Sequence, residues 1–303
     1  TRLRCDWSSD VCSSDLTGGS IKMKWTALLF YIVFLFLGAC EDNPFFGDDK
    51  IPEREITGRV SLQFSENHSE IYVWLEGTEL ITQTDENGDF TMPLPTPSEQ
   101  GTGSIVTGTY KLYFYLANYR LEYVTIELLN GEVVEDLSTI SKEGELKRIV
   151  SLKNILTLDT KISPQSYILS EDDSITVNVK LNPNKPEVFI NTIVRVYDRG
   201  YVVRTGFLIY NDNHQLIQSI DIEGSKKRRE AVMSPRKEWT AEFPLNKSFY
   251  SSNGEYNVIP YIVVDRSDVP PKLESLIGAN QKSFDQNFIL YPLKRTGGKF
   301  VVQ

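Results

Sequence analysis

Thr84-Asp85-Glu86-Asn87-Gly88-Asp89-Phe90 is a predicted tight turn between two segments in which polar and apolar residues alternate. Asn-Gly adopts left-handed backbone at little cost, so this composition between alternating segments is typical of a β-hairpin. A calcium loop is the alternative, but an EF-type loop has Gly at its sixth position, whereas Gly88 is fourth from Asp85. The segment therefore predicts β-structure on both sides of the turn.

Alternation with period two continues in short runs on both sides of this turn. In Tyr110–Leu116 the even-numbered residues form one predicted face, while Lys111, Tyr113 and Tyr115 form the other. Seven short strands joined by polar turns indicate a small β-sandwich. The predicted strands are Ile56–Phe64, Glu70–Leu75, Leu80–Thr84, Phe90–Leu94, Thr109–Ala117, Tyr123–Leu129 and Leu146–Leu152.

A second alternating region begins near Leu158 and predicts an immunoglobulin-like sandwich without cysteines. Turn sequences rich in Asn, Asp, Gly and Pro separate its strands. The predicted strands are Ser174–Leu181, Val188–Tyr197, Val203–Tyr210, Gln215–Ile222, Glu238–Phe243, Tyr256–Val264 and Phe284–Leu290. The chain is therefore predicted to be all-β, with two tandem β-sandwiches.

Four motifs of the first sandwich resemble those of a known family. Gly58-Arg59-Val60, Ile71–Thr78, the turn at 84–90 and Gly108–Leu112 together resemble the carboxypeptidase regulatory-like, or transthyretin-like, β-sandwich. The resemblance covers residues 55–131, and the polar loop at 95–107 departs from the usual compact pattern. It implies a spacer or accessory module. No catalytic residue transfers with it, because a fold does not specify a function.

The N-terminal part contains a predicted lipoprotein signal. Lys24 precedes the apolar run Trp25–Leu37, which is shorter than the roughly 20 residues that a membrane-spanning helix needs. Leu37-Gly38-Ala39-Cys40 resembles the lipobox of bacterial lipoproteins, in which the cysteine is lipidated and the signal is cut just before it. Cys40 is thus the predicted lipidation site, and several acyl chains would give stable anchoring. An ordinary cleaved signal peptide is the alternative.

These assignments divide the chain into five predicted parts. They are a non-native leader (1–22), a lipoprotein signal peptide (23–39), a flexible acidic tether (40–54), the carboxypeptidase regulatory-like sandwich (55–155) and the immunoglobulin-like sandwich (156–303). The first 16 residues resemble translated sequencing-adapter read-through, with a genuine polar tail as the alternative. Glu41 and Asp42 resemble the surface-export signal of Bacteroidota-type lipoproteins. The predicted location is the outer membrane, surface-exposed, with the periplasmic face as the alternative.

The charge and cysteine content of the chain limit which classes of partner are expected. The chain carries 32 basic and 41 acidic residues, a formal net charge of −9, which disfavours binding to nucleic acid. Two of its three cysteines, Cys5 and Cys12, lie in the leader, so no disulfide is predicted. The expected partners are the membrane, through the lipid on Cys40, and a glycan or an envelope protein.

An aromatic group is the first candidate ligand site. Tyr113, Tyr115, Tyr119 and Tyr123, with Trp74 in the same module, could stack against sugar rings. Tyrosines on strands more often serve in ordinary packing. Lys111 makes the face that carries Tyr113 and Tyr115 partly polar, which is consistent with sugar binding there.

A basic group is the second candidate. Lys226, Lys227, Arg228 and Arg229 are consecutive, and they could hold an anionic glycan, lipopolysaccharide or an acidic patch of a partner. Gly and Ser before the cluster and Ser-Pro after it predict a solvated loop.

Enzyme signatures are missing from the sequence. The two histidines, His68 and His214, lie in polar turns, and no zinc, phosphate-loop, nucleophile-elbow or Rossmann motif is present. Glu171-Asp172-Asp173 could bind calcium, but a solvated acidic loop is the simpler interpretation, and no metal or cofactor is predicted. The predicted function is a non-catalytic, lipid-anchored envelope protein with a binding or scaffolding role. The alternatives are a glycan-binding accessory lipoprotein and a hydrolase, which needs two carboxylates about 5 to 9.5 Å apart and a raised pKa.

Overall fold

The structure is a computed structural model, and it describes residues 54–95, 107–251 and 253–303. Within these residues the regular structure is mainly β-strand, with a single α-helix, α1 (Pro271–Ile277). The all-β prediction is confirmed. The predicted leader, the signal peptide, the lipidation site Cys40 and all of the tether except Arg54 lie outside the described residues.

Eight strands build the described part of the first module. They are β1 (Glu55–Leu62), β2 (Tyr72–Leu75), β3 (Ile81–Gln83), β4 (Asp89–Pro93), β5 (Gly108–Tyr115), β6 (Glu122–Leu129), β7 (Glu132–Val134) and β8 (Val150–Leu152). The sheet orders are β4-β1-β8 and β3-β2-β5-β6-β7. Leu112 and Phe114 of β5 pack with Val60 and Phe90 in one apolar core, while Tyr113 and Tyr115 point to the other face of their sheet.

The predicted turn at residues 84–90 is present, but it does not connect a hairpin. β3 pairs with β2 and β4 pairs with β1, so the turn carries the chain from one sheet to the other. The Asp85 carboxylate accepts hydrogen bonds from two backbone N–H groups of the turn, both at 2.9 Å. A Cβ on Gly88, whose φ is 86°, would lie 1.9 Å from the Val60 carbonyl oxygen. The hairpin prediction is wrong because β4, directly after the turn, pairs with β1 and not with β3.

Thirteen strands build the described part of the second module. They are β9 (Leu156–Ser163), β10 (Ser166–Tyr167), β11 (Ser174–Pro183), β12 (Glu187–Val196), β13 (Val202–Arg204), β14 (Phe207–Asn211), β15 (Leu216–Ile220), β16 (Lys226–Met233), β17 (Lys237–Pro244), β18 (Gly254–Pro260), β19 (Ile262–Val264), β20 (Thr296–Gly297) and β21 (Lys299–Val302). The sheet orders are β17-β11-β9-β20 and β10-β21-β18-β14-β15, and β12 pairs with β13, β16 and β19. In β11 every second side chain is buried, as the period-two pattern predicts.

Several predictions about the second module need correction. The predicted strand Phe284–Leu290 is a 3₁₀-helix over Gln286–Leu290, and the Asp285 side chain caps it by accepting from the Asn287 N–H at 2.8 Å. The basic cluster at 226–229, predicted as a loop, begins β16. β9, β10, β20 and β21 were not predicted, and two predicted strands are each divided, near Gly206 and Tyr261. Short apolar runs do not distinguish a strand from a helical turn by periodicity alone. The remaining 3₁₀-helices are Lys247–Phe249 and Ala279–Lys282.

The two modules share a buried contact, and all described residues belong to one compact unit. The core of the second module includes Trp74, Tyr113, Tyr115 and Ala117 from the first. The buried Asn118 side chain joins the modules through its amide, which donates to the Leu156 and Lys294 carbonyls at 3.0 and 2.9 Å. Its Oδ1 accepts from the Lys294 N–H at 3.0 Å. The part of this sheet face that carries Trp74, Tyr113 and Tyr115 is therefore an internal surface of the protein.

Candidate functional site

The aromatic candidates lie inside this contact between the modules. Trp74, Tyr113 and Tyr115 are only 2, 7 and 3% exposed. The Trp74 ring stacks on Tyr113 with centroids 5.6 Å apart, and its Nε1 donates to the Thr78 carbonyl at 3.0 Å. Burial raises the pKa of Tyr115 to about 12. Their ring faces are occupied by protein atoms.

Residues of the second module cover this aromatic group. Arg266 lies over the Tyr115 ring at 5.7 Å and donates to the Ala117 carbonyl at 2.9 Å. Tyr119 is also buried, whereas Tyr123 is 52% exposed, with Lys111 Nζ 4.8 Å from its ring centroid. Sugar stacking by Trp74, Tyr113 and Tyr115 requires accessible ring faces, so the predicted aromatic platform is wrong as an exposed surface. The physical reason is that an outer sheet face rich in large aromatics is also the best surface for packing a second domain.

The four basic residues of the second candidate are all exposed, and they lie in β16. Among the described strands, β16 pairs only with β12 and is the last strand of its sheet. One edge of β16 is therefore unpaired. Lys227 lies over the Tyr261 ring at 5.3 Å, and Arg229 pairs with Asp265 at 2.5 Å. Lys226 and Arg228 form no ion pair within the described part of the chain.

A charge cluster holds β16 in place next to these residues. Glu230 is bound by Arg204 at 2.9 Å and by Lys237 at 2.6 Å, and its side chain is only 12% exposed. Burial alone would raise the pKa of Glu230, but hydrogen bonds from Arg204 and Lys237 outweigh it and lower that pKa. Arg204 also lies over the Trp239 ring at 5.4 Å. The basic residues are thus displayed on a strand whose position is fixed by buried charges.

The hairpin between β12 and β13 adds two aromatic side chains that the sequence analysis missed. Tyr197 and Tyr201 are exposed and their ring centroids lie 6.0 Å apart. Val194 pairs with Lys226, so this hairpin tip lies at the same end of the sheet as the start of the basic strand. The signal was present in the sequence as two tyrosines flanking a predicted turn. We call Lys226, Lys227, Arg228, Arg229, Tyr197 and Tyr201 the basic edge.

Two of the three acidic candidates, Asp172 and Asp173, contact protein groups. Asp172 accepts a hydrogen bond from the Ile168 N–H at 2.6 Å. In residues 54–95, 107–251 and 253–303, no group of three or more His, Cys, Asp or Glu side chains is arranged to hold a metal ion. The carboxyl groups there whose pKa departs from the ordinary value are all shifted downward, the opposite of what a general acid requires. They are Asp89, Asp136, Glu143, Glu230 and Asp268.

The two histidines lie in loop segments. His68 Nδ1 accepts a hydrogen bond from the Leu62 N–H at 3.0 Å, and His214 lies in the turn between β14 and β15 with a φ of 59°. Among the helices that the structure describes, none is long and apolar enough to cross a membrane. No protein-family model and no curated protein matches this chain.

Proposed function

We propose that this protein is a lipid-anchored protein of the bacterial outer membrane that holds an acidic partner protein through its basic edge. The lipobox ending at Cys40 supports the anchor, and the acidic tether at 40–54 would keep the folded part away from the membrane. The role is binding or scaffolding and requires no catalysis by this chain.

The observation that carries the binding role is the exposure of four consecutive basic side chains on an unpaired strand edge. An extended polypeptide can pair with the free N–H and C=O groups of such an edge. A polysaccharide offers no matching backbone ladder, so the edge favours a protein segment. Acidic side chains on that segment would meet Lys226 and Arg228, and tyrosine and arginine are the residue types enriched at the energetic centres of interfaces. Charges on edge strands also prevent aggregation, so binding itself must be measured.

The anchor is tested first by metabolic labelling with a palmitate analogue. We expect label on the Met23-initiated protein and none on its Cys40→Ala variant, because the Cys40 sulfur is the atom that is alkylated by the labelled diacylglycerol. Protease added to intact cells is expected to cleave the labelled protein. An unlabelled wild type would exclude the anchor. Label with complete protection from protease would place the protein on the periplasmic face.

The basic edge is tested by titrating the protein with fluorescent poly-L-glutamate. The double variant Lys226→Glu/Arg228→Glu is expected to bind at least about tenfold more weakly, or about 1.4 kcal/mol, because attraction at two sites becomes repulsion. The affinity is also expected to fall as salt rises.

Lys161→Glu/Lys299→Glu is the matched control. Both lysines are exposed on strands and the change in net charge is identical, so the wild-type affinity is expected. Equal losses in both double variants would show that only net charge matters and would contradict the basic edge. Binding of heparin at a much lower concentration than poly-L-glutamate would favour the glycan-binding alternative.

A further inference from the structure

A cleft of about 400 Å³ lies where the first module meets the C-terminal segment of the second. Leu290 and Leu293 supply apolar surface to it, whereas Tyr72 and Gln83 of the first module supply polar groups. This volume falls within the range of small-molecule sites in proteins. The cleft is remote in sequence from the basic edge and shares no residue with it.

Arg295 lines this cleft with an incompletely paired guanidinium. Its terminal nitrogens donate to the Leu293 and Phe288 carbonyls at long distances, 3.3 and 3.5 Å, and its Nε is buried without any partner among the described residues. An arginine has five N–H donors, so more than half of them are unused. Burial lowers the pKa of Arg295 to about 10, and no carboxylate pairs with it in the described part of the chain. A buried cation of this kind normally has an anionic partner.

Gln281 places an unpaired acceptor beside the same cleft. Its side chain is hydrogen-bonded to Tyr72, and its Oε1 is buried with no partner in the part of the chain that the structure describes. A carbonyl oxygen accepts from a hydroxyl or an N–H group but repels an anion. The cleft therefore combines unsatisfied donors at Arg295 with an unsatisfied acceptor at Gln281.

The charges of the lining residues limit the charge of a ligand. Arg295 and Lys294 are positive and Glu70 is negative, which leaves a formal charge of +1 with His214 neutral. The Lys294 ammonium donates to Asn67 Oδ1 at 2.8 Å. One carboxylate would neutralise the cleft, whereas a phosphate dianion would bring excess negative charge close to Glu70.

We propose that this cleft binds a small hydroxylated monocarboxylate, whose carboxylate pairs with Arg295 and whose hydroxyl donates to Gln281 Oε1. A planar guanidinium matches the two oxygens of a carboxylate. The apolar surface of Leu290 and Leu293 would contact the carbon skeleton of the ligand. A sugar acid has all three features.

Calorimetric titration of the full chain with D-glucuronate and with D-glucose tests the proposal, because these two ligands differ at one carboxylate. We expect glucuronate to bind at least tenfold more tightly than glucose. Arg295→Gln is expected to abolish that preference, while Arg148→Gln, at an exposed arginine far from the cleft in sequence, is expected to retain it. Gln281→Met is expected to weaken glucuronate but to leave the binding of acetate, which has no hydroxyl, unchanged.

Two outcomes would overturn the proposal. Equal affinity for glucuronate and glucose would exclude a carboxylate site, and tighter binding of inorganic phosphate than of glucuronate would assign the cleft to a different anion. If Arg295→Gln does not fold, Lys294→Met provides the second variant, because Lys294 lies at the partly accessible rim. A Lys294→Met protein with unchanged glucuronate affinity would contradict the charge argument.

Discussion

Replacing Trp74 with alanine is expected to lower the free energy of unfolding by about 4 kcal/mol, the range observed for buried tryptophan. The side chain is almost fully buried between the modules, stacks on Tyr113 and donates a hydrogen bond to Thr78. The substitution leaves a cavity in the shared core and an unpaired carbonyl oxygen. Urea denaturation followed by tryptophan fluorescence and by far-UV circular dichroism measures the loss.

The same experiment tests whether the modules unfold together. Both signals are expected to follow one transition in the wild type, because the core of the second module contains side chains of the first. Tyr123→Ala is the matched control, since Tyr123 lies on the same sheet face but is half exposed, and a loss below about 1 kcal/mol is expected. Two separate transitions, or a Trp74→Ala loss as small as that of the control, would show that the contact between the modules contributes little stability.

Local sequence patterns predicted most of the strands, because the alternation of polar and apolar residues indicates directly which face of a strand is buried. In Tyr110–Leu116 the two faces were assigned correctly, and the structure places one face in each core. The prediction could not say what covers the face with Tyr113 and Tyr115. A buried face against another domain and an exposed face for ligands have the same composition. Only the tertiary arrangement distinguishes them.

The failures in the candidate sites have similar physical causes. The basic residues at 226–229 have the polarity of a loop, and pairing with β12 makes them a strand. The turn at 84–90 has the composition of a hairpin, and pairing with β1 makes it a crossing between sheets. Arg295 and Gln281 are distant from Tyr72 in sequence, so no local pattern predicts their cleft. In each case the decisive partner is far away along the chain.

Replacing Glu230 with glutamine is expected to lower the free energy of unfolding by about 3 kcal/mol at pH 7, because it removes the shared anion of two largely buried cations. Arg204 and Lys237 would keep their charges and lose their partner, and the position of the basic strand would become less fixed. Glu187→Gln on the neighbouring strand β12 is the control, because Glu187 is exposed and forms no ion pair in the described part. A change below about 0.5 kcal/mol is expected there.

The pH dependence identifies the cause of that loss. Hydrogen bonds from Arg204 and Lys237 hold the pKa of Glu230 below its ordinary value despite burial, so the unfolded state binds a proton more readily than the folded state. The stabilisation is therefore complete above about pH 4.3, the ordinary glutamate pKa, and is lost as the pH falls through the lower folded-state value. The difference in unfolding free energy between wild type and Glu230→Gln should shrink as the pH falls from 5 to 3. A difference that stays constant over this interval would mean that glutamine disturbs packing rather than charge, and would remove Glu230 as the electrostatic support of the basic edge.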